Sequence, residues 1–320
     1  MKLVSVITVN FNQPRVTEEL LLSFSLINNY SNLEIIVVDN GSVINPVPEW
    51  EKKYPSVKFI RSEKNSGFAG GNNLGFTFAR GDYIFFVNND TEVTKSLLTK
   101  LVSTLDENPS VGIISPKILY YQSRIIQYAG YTPLNYLTAR NKCIGQFEND
   151  NGQYDKYMGK TGYAHGAAMM VRRHAIDKAG MMAENFFLYY EELDWCERIR
   201  KQGYQIWVNL QAAIYHKEST SVGKQSSLKE YYMNRNRMLI VRKHAPMFVY
   251  PVFLIYFLCL VTPIKIIRYL RLGQAPFIPV FGKAIWWNFT HKTTSQEIFD
   301  PSHSLFRNPE KIQGNTKHPA

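Results

Sequence analysis

The chain of 320 residues is 45% apolar and 20% charged, which suits one large domain with its own core plus an appendage. Its formal charge of +11 is unevenly placed: residues 217–320 hold 15 Lys/Arg against 5 Asp/Glu, and residues 1–216 hold 22 against 21. A near-neutral body with a basic C-terminal third points to an anionic surface as that third's partner, while Cys143, Cys196 and Cys259 are too few and too far apart for a zinc site or a disulfide framework and suit a reducing setting.

The first residues, Met1-Lys-Leu-Val-Ser-Val-Ile-Thr-Val, lack separate basic and apolar regions and a small-residue cleavage site, so they read as a β-strand and not a signal peptide. Strands are predicted at Leu3–Val9, Leu33–Val38, Val57–Ile60 and Tyr83–Val87, and helices at Val16–Ile27, Ala69–Ala79 and Lys95–Leu105. This alternation predicts an α/β fold with a mostly parallel sheet covered on both faces. Ligands of such sheets bind beyond the carboxyl ends of the strands, where Asn10, Asp39, Asn88 and Asp90 fall. From about 110 to 216 short strands (Ile113–Ser115, Ala167–Val171, Ile206–Val208) alternate with loops, and 130–160 is polar and irregular. The expected division is a catalytic domain over 1–225, with halves 1–110 and 111–225, and a basic, apolar region over 226–320.

Several segments carry chemistry. Val37-Val-Asp39-Asn-Gly-Ser42 runs a strand into a turn; an Asn-Gly turn accounts for it structurally, and Asp39 there is also placed to accept hydrogen bonds from a nucleobase or ribose. Asn65-Ser-Gly-Phe-Ala-Gly-Gly-Asn-Asn-Leu-Gly75 carries Gly67, Gly70, Gly71 and Gly75. Those glycines allow close approach of backbone to a ligand ahead of a helix N-terminus that favours anions, though a tight strand-to-helix loop would need them too. The Gly-x-Gly-x-x-Gly dinucleotide spacing is absent. Asn88-Asn-Asp90 ends the next strand, where one carboxylate can hold Mg²⁺ or Mn²⁺ against a diphosphate; Asp90 is equally suited to cap a helix at 91–104. His216 closes Ala213-Ile-Tyr-His and is either a structural histidine or a second metal ligand before a polar loop with Lys217, Ser219, Ser221 and Gly223. Glu191, Glu192 and Asp194 crowd into four positions among aromatics. Crowding and burial raise carboxyl pKa values and suit a general base; a solvated helix start would favour acids in its first turn through the dipole, which accounts for Asp194, while Glu191 and Glu192 are expected to precede that turn.

Taken in order, Ser5-Val-Ile-Thr-Val-Asn-Phe-Asn, Val38-Asp-Asn-Gly-Ser, the 65–75 segment, Asn88-Asn-Asp-Thr, Gly166-Ala-Ala-Met-Met-Val-Arg-Arg and Phe187–Arg198 resemble the inverting family 2 glycosyltransferases. The likeness is strongest to a rhamnosyltransferase-like subset from bacterial cell-surface polysaccharide assembly. The resemblance implies the A-type glycosyltransferase fold over the catalytic domain. It implies that Asp39 holds base or ribose, with Asn10, Asn65, Gly67, Asn73, Asn88 and Asp90 completing nucleotide-sugar binding. It implies Asp90 and His216 as ligands of a divalent cation, and Gly166, Ala167 and Asp194 on the acceptor side. The general base of the family's Glu-Asp pair falls on Glu192, with Glu191 the alternative because this chain has Glu where Asp is common. The expected reaction moves a sugar, rhamnose first among donors, from a nucleoside diphosphate to a growing, lipid-linked glycan. Alternatives are transfer to polyprenyl phosphate itself and a non-catalytic, sugar-nucleotide-binding scaffold subunit.

Ala245–Ile264 is 20 residues without charge, long enough to cross a bilayer, but Pro251 and Pro263 interrupt it. Basic flanks on both sides (Arg235, Arg237, Arg242, Lys243; Lys265, Arg268, Arg271) favour a helix in the anionic cytoplasmic leaflet over a clean span; a buried core helix is the other reading. Pro276–Phe289, with Trp286 and Trp287, reads as an interfacial anchor. Arg235, within Tyr231-Tyr-Met-Asn-Arg-Asn-Arg, is placed by the resemblance toward an acceptor diphosphate. The expected location is the inner face of the cell membrane, peripherally attached. Nucleic acid is not an expected partner, because the basic residues bracket apolar runs instead of forming a polar face.

Overall fold

The computed structural model describes residues 1–217 and 226–298. They form two compact units, residues 1–134 with 140–217, and residues 135–139 with 226–298. Ser219, Ser221, Gly223 and the expected division at 225 lie outside or at the edge of the described residues.

In the first unit, β1 (Val4–Asn10), α1 (Pro14–Leu26), β2 (Leu33–Asn40), α2 (Val47–Lys53), β3 (Lys58–Ser62), α3 (Gly67–Phe76) and β4 (Tyr83–Val87) follow the predicted alternation. Next come β5 (Thr91–Val93), α4 (Leu97–Glu107), β6 (Val111–Tyr120), β7 (Ile126–Tyr128), β8 (Met158–Lys160), β9 (Ala168–Arg172), α5 (Arg173–Ala179), α6 (Glu191–Lys201) and β10 (Gln205–His216). One mixed sheet results, ordered β3-β2-β1-β4-β9-β6-β10-β5, with β7 on β6 and β8 on β10. β3, β2, β1 and β4 are mutually parallel, and β9 runs antiparallel between β4 and β6. The central parallel strands β1, β2 and β4 are rich in Val, Ile and Phe and are buried along most of their length because both faces are covered. Val4, Val6 and Phe85 pack with Leu20 and Phe24 of α1 and Leu97 and Leu101 of α4.

α3 begins at Gly67, not Ala69, and its glycines have a different use from the one expected. A Cβ on Gly71 would stand 2.8 Å from Val9 Cγ1, and one on Gly75 2.5 Å from Ile7 Cγ2. Those two glycines let the helix press on the sheet, so it is strand and not ligand that they admit. The strands expected at 113–115 and 206–208 are ten and twelve residues long, because β6 and β10 pair in parallel across an irregularity between Asn209 and Ala213. Lys117, a charged residue inside this strand, is buried in β6 with its ammonium 2.6 Å from Asp150 and 2.5 Å from Asp155. Asp90 caps no helix: Thr91–Val93 pairs antiparallel with Ile214–His216 and α4 starts only at Leu97.

In the second unit, α7 (Ser227–His244) packs on α10 (Phe277–Thr290). Arg235 is fully buried, its guanidinium 4.6 Å from the Trp287 ring and 4.7 Å from the Tyr232 ring. Between them α8 (Val249–Tyr256), a wide turn Phe257–Val261 and α9 (Thr262–Arg271) make one continuous helix of 23 residues. Neither proline interrupts it. Pro251 sits in the first turn, where amides have no partner inside the helix. The missing N–H of Pro263 is absorbed by the wide turn, in which Thr262 N donates five residues back to Phe257 O. This helix is long and apolar enough to cross a membrane, and Ile255, Leu260, Ile264, Ile267 and Leu270 are exposed along it, so it is not the buried core helix of the other reading. Trp286 is exposed but Trp287 is buried, so only the first is left for an interfacial anchor.

Candidate active site

The carboxyl ends of the parallel strands bring the first cluster together. Register sets Asn10 beside Asp39 and Asp39 beside Arg61. Asp39 is fully buried; its Oδ1 accepts from Asn10 Nδ2 at 2.7 Å and from Ser42 Oγ at 2.5 Å, and its Oδ2 pairs with Arg61. Arg61 also donates to Ser42 O at 2.8 Å. Gly41, at φ 76°, makes the turn that returns Ser42 to its aspartate. Asn65 Oδ1 accepts from Gly67 N at 2.9 Å and from Asn40 Nδ2 at 3.1 Å, which shapes the entry to α3.

A chain of hydrogen bonds leads from this cluster to the next. Thr17 Oγ1 donates to Asn10 Oδ1 at 3.0 Å and accepts from Asn89 Nδ2 at 3.0 Å. Asn89 precedes Asp90, whose Oδ1 lies 3.1 Å from His216 Nε2. His216 Nδ1 is 2.8 Å from Gln127 Oε1, a contact that fixes the ring and, in the tautomer with the proton on Nδ1, leaves Nε2 to serve as a ligand beside Asp90, the arrangement metal-binding histidines share. Asn88 Nδ2 is 3.5 Å from the same Nε2, and Asn88 N donates to Ala167 O at 2.9 Å. Among the described residues no third His, Cys, Asp or Glu completes a cluster. One carboxylate and one oriented imidazole fit a hard divalent cation that takes its other ligands from substrate phosphates and water.

Beside Gly166 lies the acidic pair, which opens α6 within its first turn and does not precede it as expected. A Cβ on Gly166 would stand 3.9 Å from Glu192 Cδ and 3.8 Å from the Phe68 ring. Glu191 is buried and Glu192 half-buried, and Oε2 of each has no hydrogen-bond partner among the described residues. Burial, then the neighbouring Glu192, holds the Glu191 carboxyl well above the usual carboxylate range; burial pushes Glu192 up to about 7, with amides at the helix start opposing. The approach to this pair is strained: Phe187, Tyr189 and Tyr190 adopt φ of 62°, 70° and 72°, each costing about 1–3 kcal/mol for a side-chain-bearing residue. The surroundings hold it in place. Phe68 N donates to Phe187 O at 2.8 Å, and Asn73 exchanges bonds with Met182 O, Met182 N and Glu184 Oε1.

Asn73 and Asp194 are engaged in bracing the surrounding backbone. Asn73 does so through its amide at that turn. Asp194 is buried and holds Arg198 at 2.8 Å, which in turn donates to Ala179 O and Met181 O. Arg235 belongs to the second unit, caged by aromatic rings and donating to Asn236 Oδ1 at 2.8 Å. Sequence reasoning passed over Arg61, Thr17, Gln127 and His165. His165 lies next to Gly166, stacks on Tyr131 at 6.1 Å and stands 6.4 Å from His216; burial, with His216 adding, lowers its pKa to about 3.

A buried polar cluster at the strand ends, an aspartate–histidine pair and a buried carboxylate pair at the start of a helix are set on one mixed α/β sheet, the fold of the A-type glycosyltransferases. The chain belongs to glycosyltransferase family 2, described as "Glycosyl transferase family 2", whose family model matches residues 5–180. It is similar to the low-salt glycan biosynthesis hexosyltransferase Agl10 of Haloferax volcanii, 28% identical over 73% of this chain and 74% of the relative. It is 22% identical to the N-acetylglucosaminyl-diphospho-decaprenol L-rhamnosyltransferase of Mycobacterium tuberculosis, over 68% of this chain and 77% of that one. Among solved structures, the mannosyltransferase PcManGT of Pyrobaculum calidifontis superposes with a TM-score of 0.54 at 15% identity, covering 91% of this chain and 76% of that one.

Proposed function

We propose that the chain is an inverting glycosyltransferase that moves a sugar from a nucleoside diphosphate to a growing, lipid-linked glycan, with Glu192 as general base. The observation that carries this reading is the acidic pair: two adjacent carboxyls with unpartnered buried oxygens, one of them opening beside Gly166. Burial raises both carboxyls and two adjacent carboxylates do not both ionise readily, so the pair shares a proton that the deeper Glu191 is better placed to hold, and the half-buried Glu192 is the one placed to carry the charge. Glu192 then takes the proton of an acceptor hydroxyl as that oxygen attacks the anomeric carbon. The bond from that carbon to the diphosphate breaks on the opposite face, the nucleoside diphosphate leaves with the electron pair, and one displacement inverts the centre. Asn10, Asp39 and Ser42 hold the nucleoside, with Asn65 and Gly67 shaping the loop beside it; Gly166 and Ala167 border the acceptor. Asp90 and His216 would hold Mg²⁺ or Mn²⁺, which when bound neutralises charge on the departing diphosphate; PcManGT was solved with GDP-mannose and Mn²⁺. The name of the mycobacterial relative supports a rhamnose donor and a diphosphate-linked acceptor. The exposed apolar helix 249–271 and its basic flanks support peripheral attachment to the inner face of the membrane.

The test is a donor screen. Purified protein with Mn²⁺ or Mg²⁺ is given a panel of nucleoside diphosphate sugars, deoxythymidine-diphosphate-rhamnose among them, and nucleoside diphosphate release is followed with and without EDTA. Release from one donor that EDTA abolishes is expected. Donor binding by calorimetry without release or transfer, even with a saccharide acceptor present, would replace this reading with the scaffold one, and absence of donor binding as well would overturn both.

A further inference from the structure

We propose that His165 is a neutral hydrogen-bond donor that positions the acceptor sugar beside Glu192. The inference rests on the transferase reading above and adds to it the residue that orients the acceptor. Ala167 N–H donates to His165 Nδ1 at 3.1 Å, so Nδ1 is the acceptor and the ring proton lies on Nε2. The backbone on either side is fixed: His165 N donates to Ser115 Oγ at 3.1 Å and Ala168 N donates to His165 O at 3.1 Å. The ring plane is fixed as well, stacked within 9° of Tyr131, with Tyr128 at 5.1 Å. Nε2 has no protein partner among the described residues, and its N–H opens to solvent from a half-buried ring. The next residue is Gly166, whose missing side chain leaves room against Glu192. A saccharide on that ledge meets one acceptor carboxylate and one donor imidazole.

The pairing separates two tasks. Glu192 removes the proton of the attacking hydroxyl, while His165 donates to a neighbouring oxygen of the same sugar and sets which hydroxyl faces the donor. A donor bond on the attacking oxygen itself would oppose the attack, so the neighbouring oxygen is the partner. Water as acceptor needs no such orientation.

The experiment compares transfer with donor hydrolysis in one reaction, using the full chain, the donor found in the screen and an alkyl-diphosphate-linked N-acetylglucosamine as acceptor probe. His165→Phe keeps the stack on Tyr131 and removes the donor; His165→Gln keeps an N–H. The transfer-to-hydrolysis ratio should fall roughly ten- to hundredfold in His165→Phe, the range for one unmade hydrogen bond in a site, and recover most of its value in His165→Gln. The donor dissociation constant and the melting temperature should match wild type in His165→Gln. An unchanged ratio in His165→Phe, or equal loss of transfer and hydrolysis in both variants, would overturn the assignment. A wild-type protein that hydrolyses donor but transfers to no saccharide would instead overturn the transferase reading beneath it.

Discussion

Replacing Glu192 by Gln should make the protein more stable and nearly inactive at once. In the native state burial raises the Glu192 carboxyl from 4.5 to about 7. Below pH 4.5 both folded and unfolded chains are protonated there, and the group has no effect on stability. Between those values the folded chain holds a proton that the unfolded chain releases, so stability falls as pH rises and the loss is complete above the folded value. At about 1.4 kcal/mol per unit, ionising the buried group costs on the order of 3 kcal/mol. The Gln amide removes that cost but inherits an unpartnered position at Glu192 Oε2, which returns about 1–3 kcal/mol. The net gain at pH 8 is therefore at most about 2 kcal/mol, a rise of a few degrees in melting temperature for a chain of this size, and it should shrink to nothing or reverse at pH 4.5. Loss of the base should lower turnover by about 10²–10⁴. Scanning calorimetry at the two pH values and nucleoside diphosphate release measure both quantities. A variant less stable than wild type at pH 8, or one that retains turnover, would refute the argument.

Gly67→Ala should destabilise: the residue has φ 74° and an added Cβ would lie 2.2 Å from Phe187 O, so at least about 1–2 kcal/mol is lost from the backbone alone and the strained turn before α6 must move. A lower urea midpoint with reduced turnover is expected, and an unchanged midpoint would contradict the packing. Gln127→Leu removes the partner that turns His216 toward Asp90, and should weaken Mn²⁺ affinity by roughly tenfold to a hundredfold in calorimetry without loss of donor binding in EDTA; equal metal affinity would exclude that ligand pair. The full chain should float with phosphatidylglycerol vesicles, and Ile264→Asp with Ile267→Asp should abolish flotation; recovery of wild type outside the lipid fraction would remove the membrane reading.

Much of the sheet was legible because each parallel strand is a short β-branched run, and the strand ends placed Asn10, Asp39 and Asp90 without any structure. The second half was less so. Lys117 and Pro116 hide a ten-residue strand, since the burial of a lysine depends on Asp150 and Asp155 more than thirty positions away. The glycines of α3 were visible but their use was not: only a helix lying against Val9 and Ile7 shows that two of them admit the sheet. Pro263 looked like a break because its accommodation by a wide turn leaves no local sequence mark. Gln127, His165 and Arg61 act through partners on other strands, and no spacing within one segment announces them. The acidic pair stood out early because three carboxylates among aromatics are anomalous wherever they fold.

The most direct test of the account is the anomeric configuration of the product. Proton and carbon NMR of the glycan formed from the donor identified in the screen reads it from the one-bond coupling at the anomeric carbon. Inversion relative to the donor is predicted by a single displacement with Glu192 as base. Retention would require a second displacement or a front-face route, and would contradict the mechanism drawn from this site.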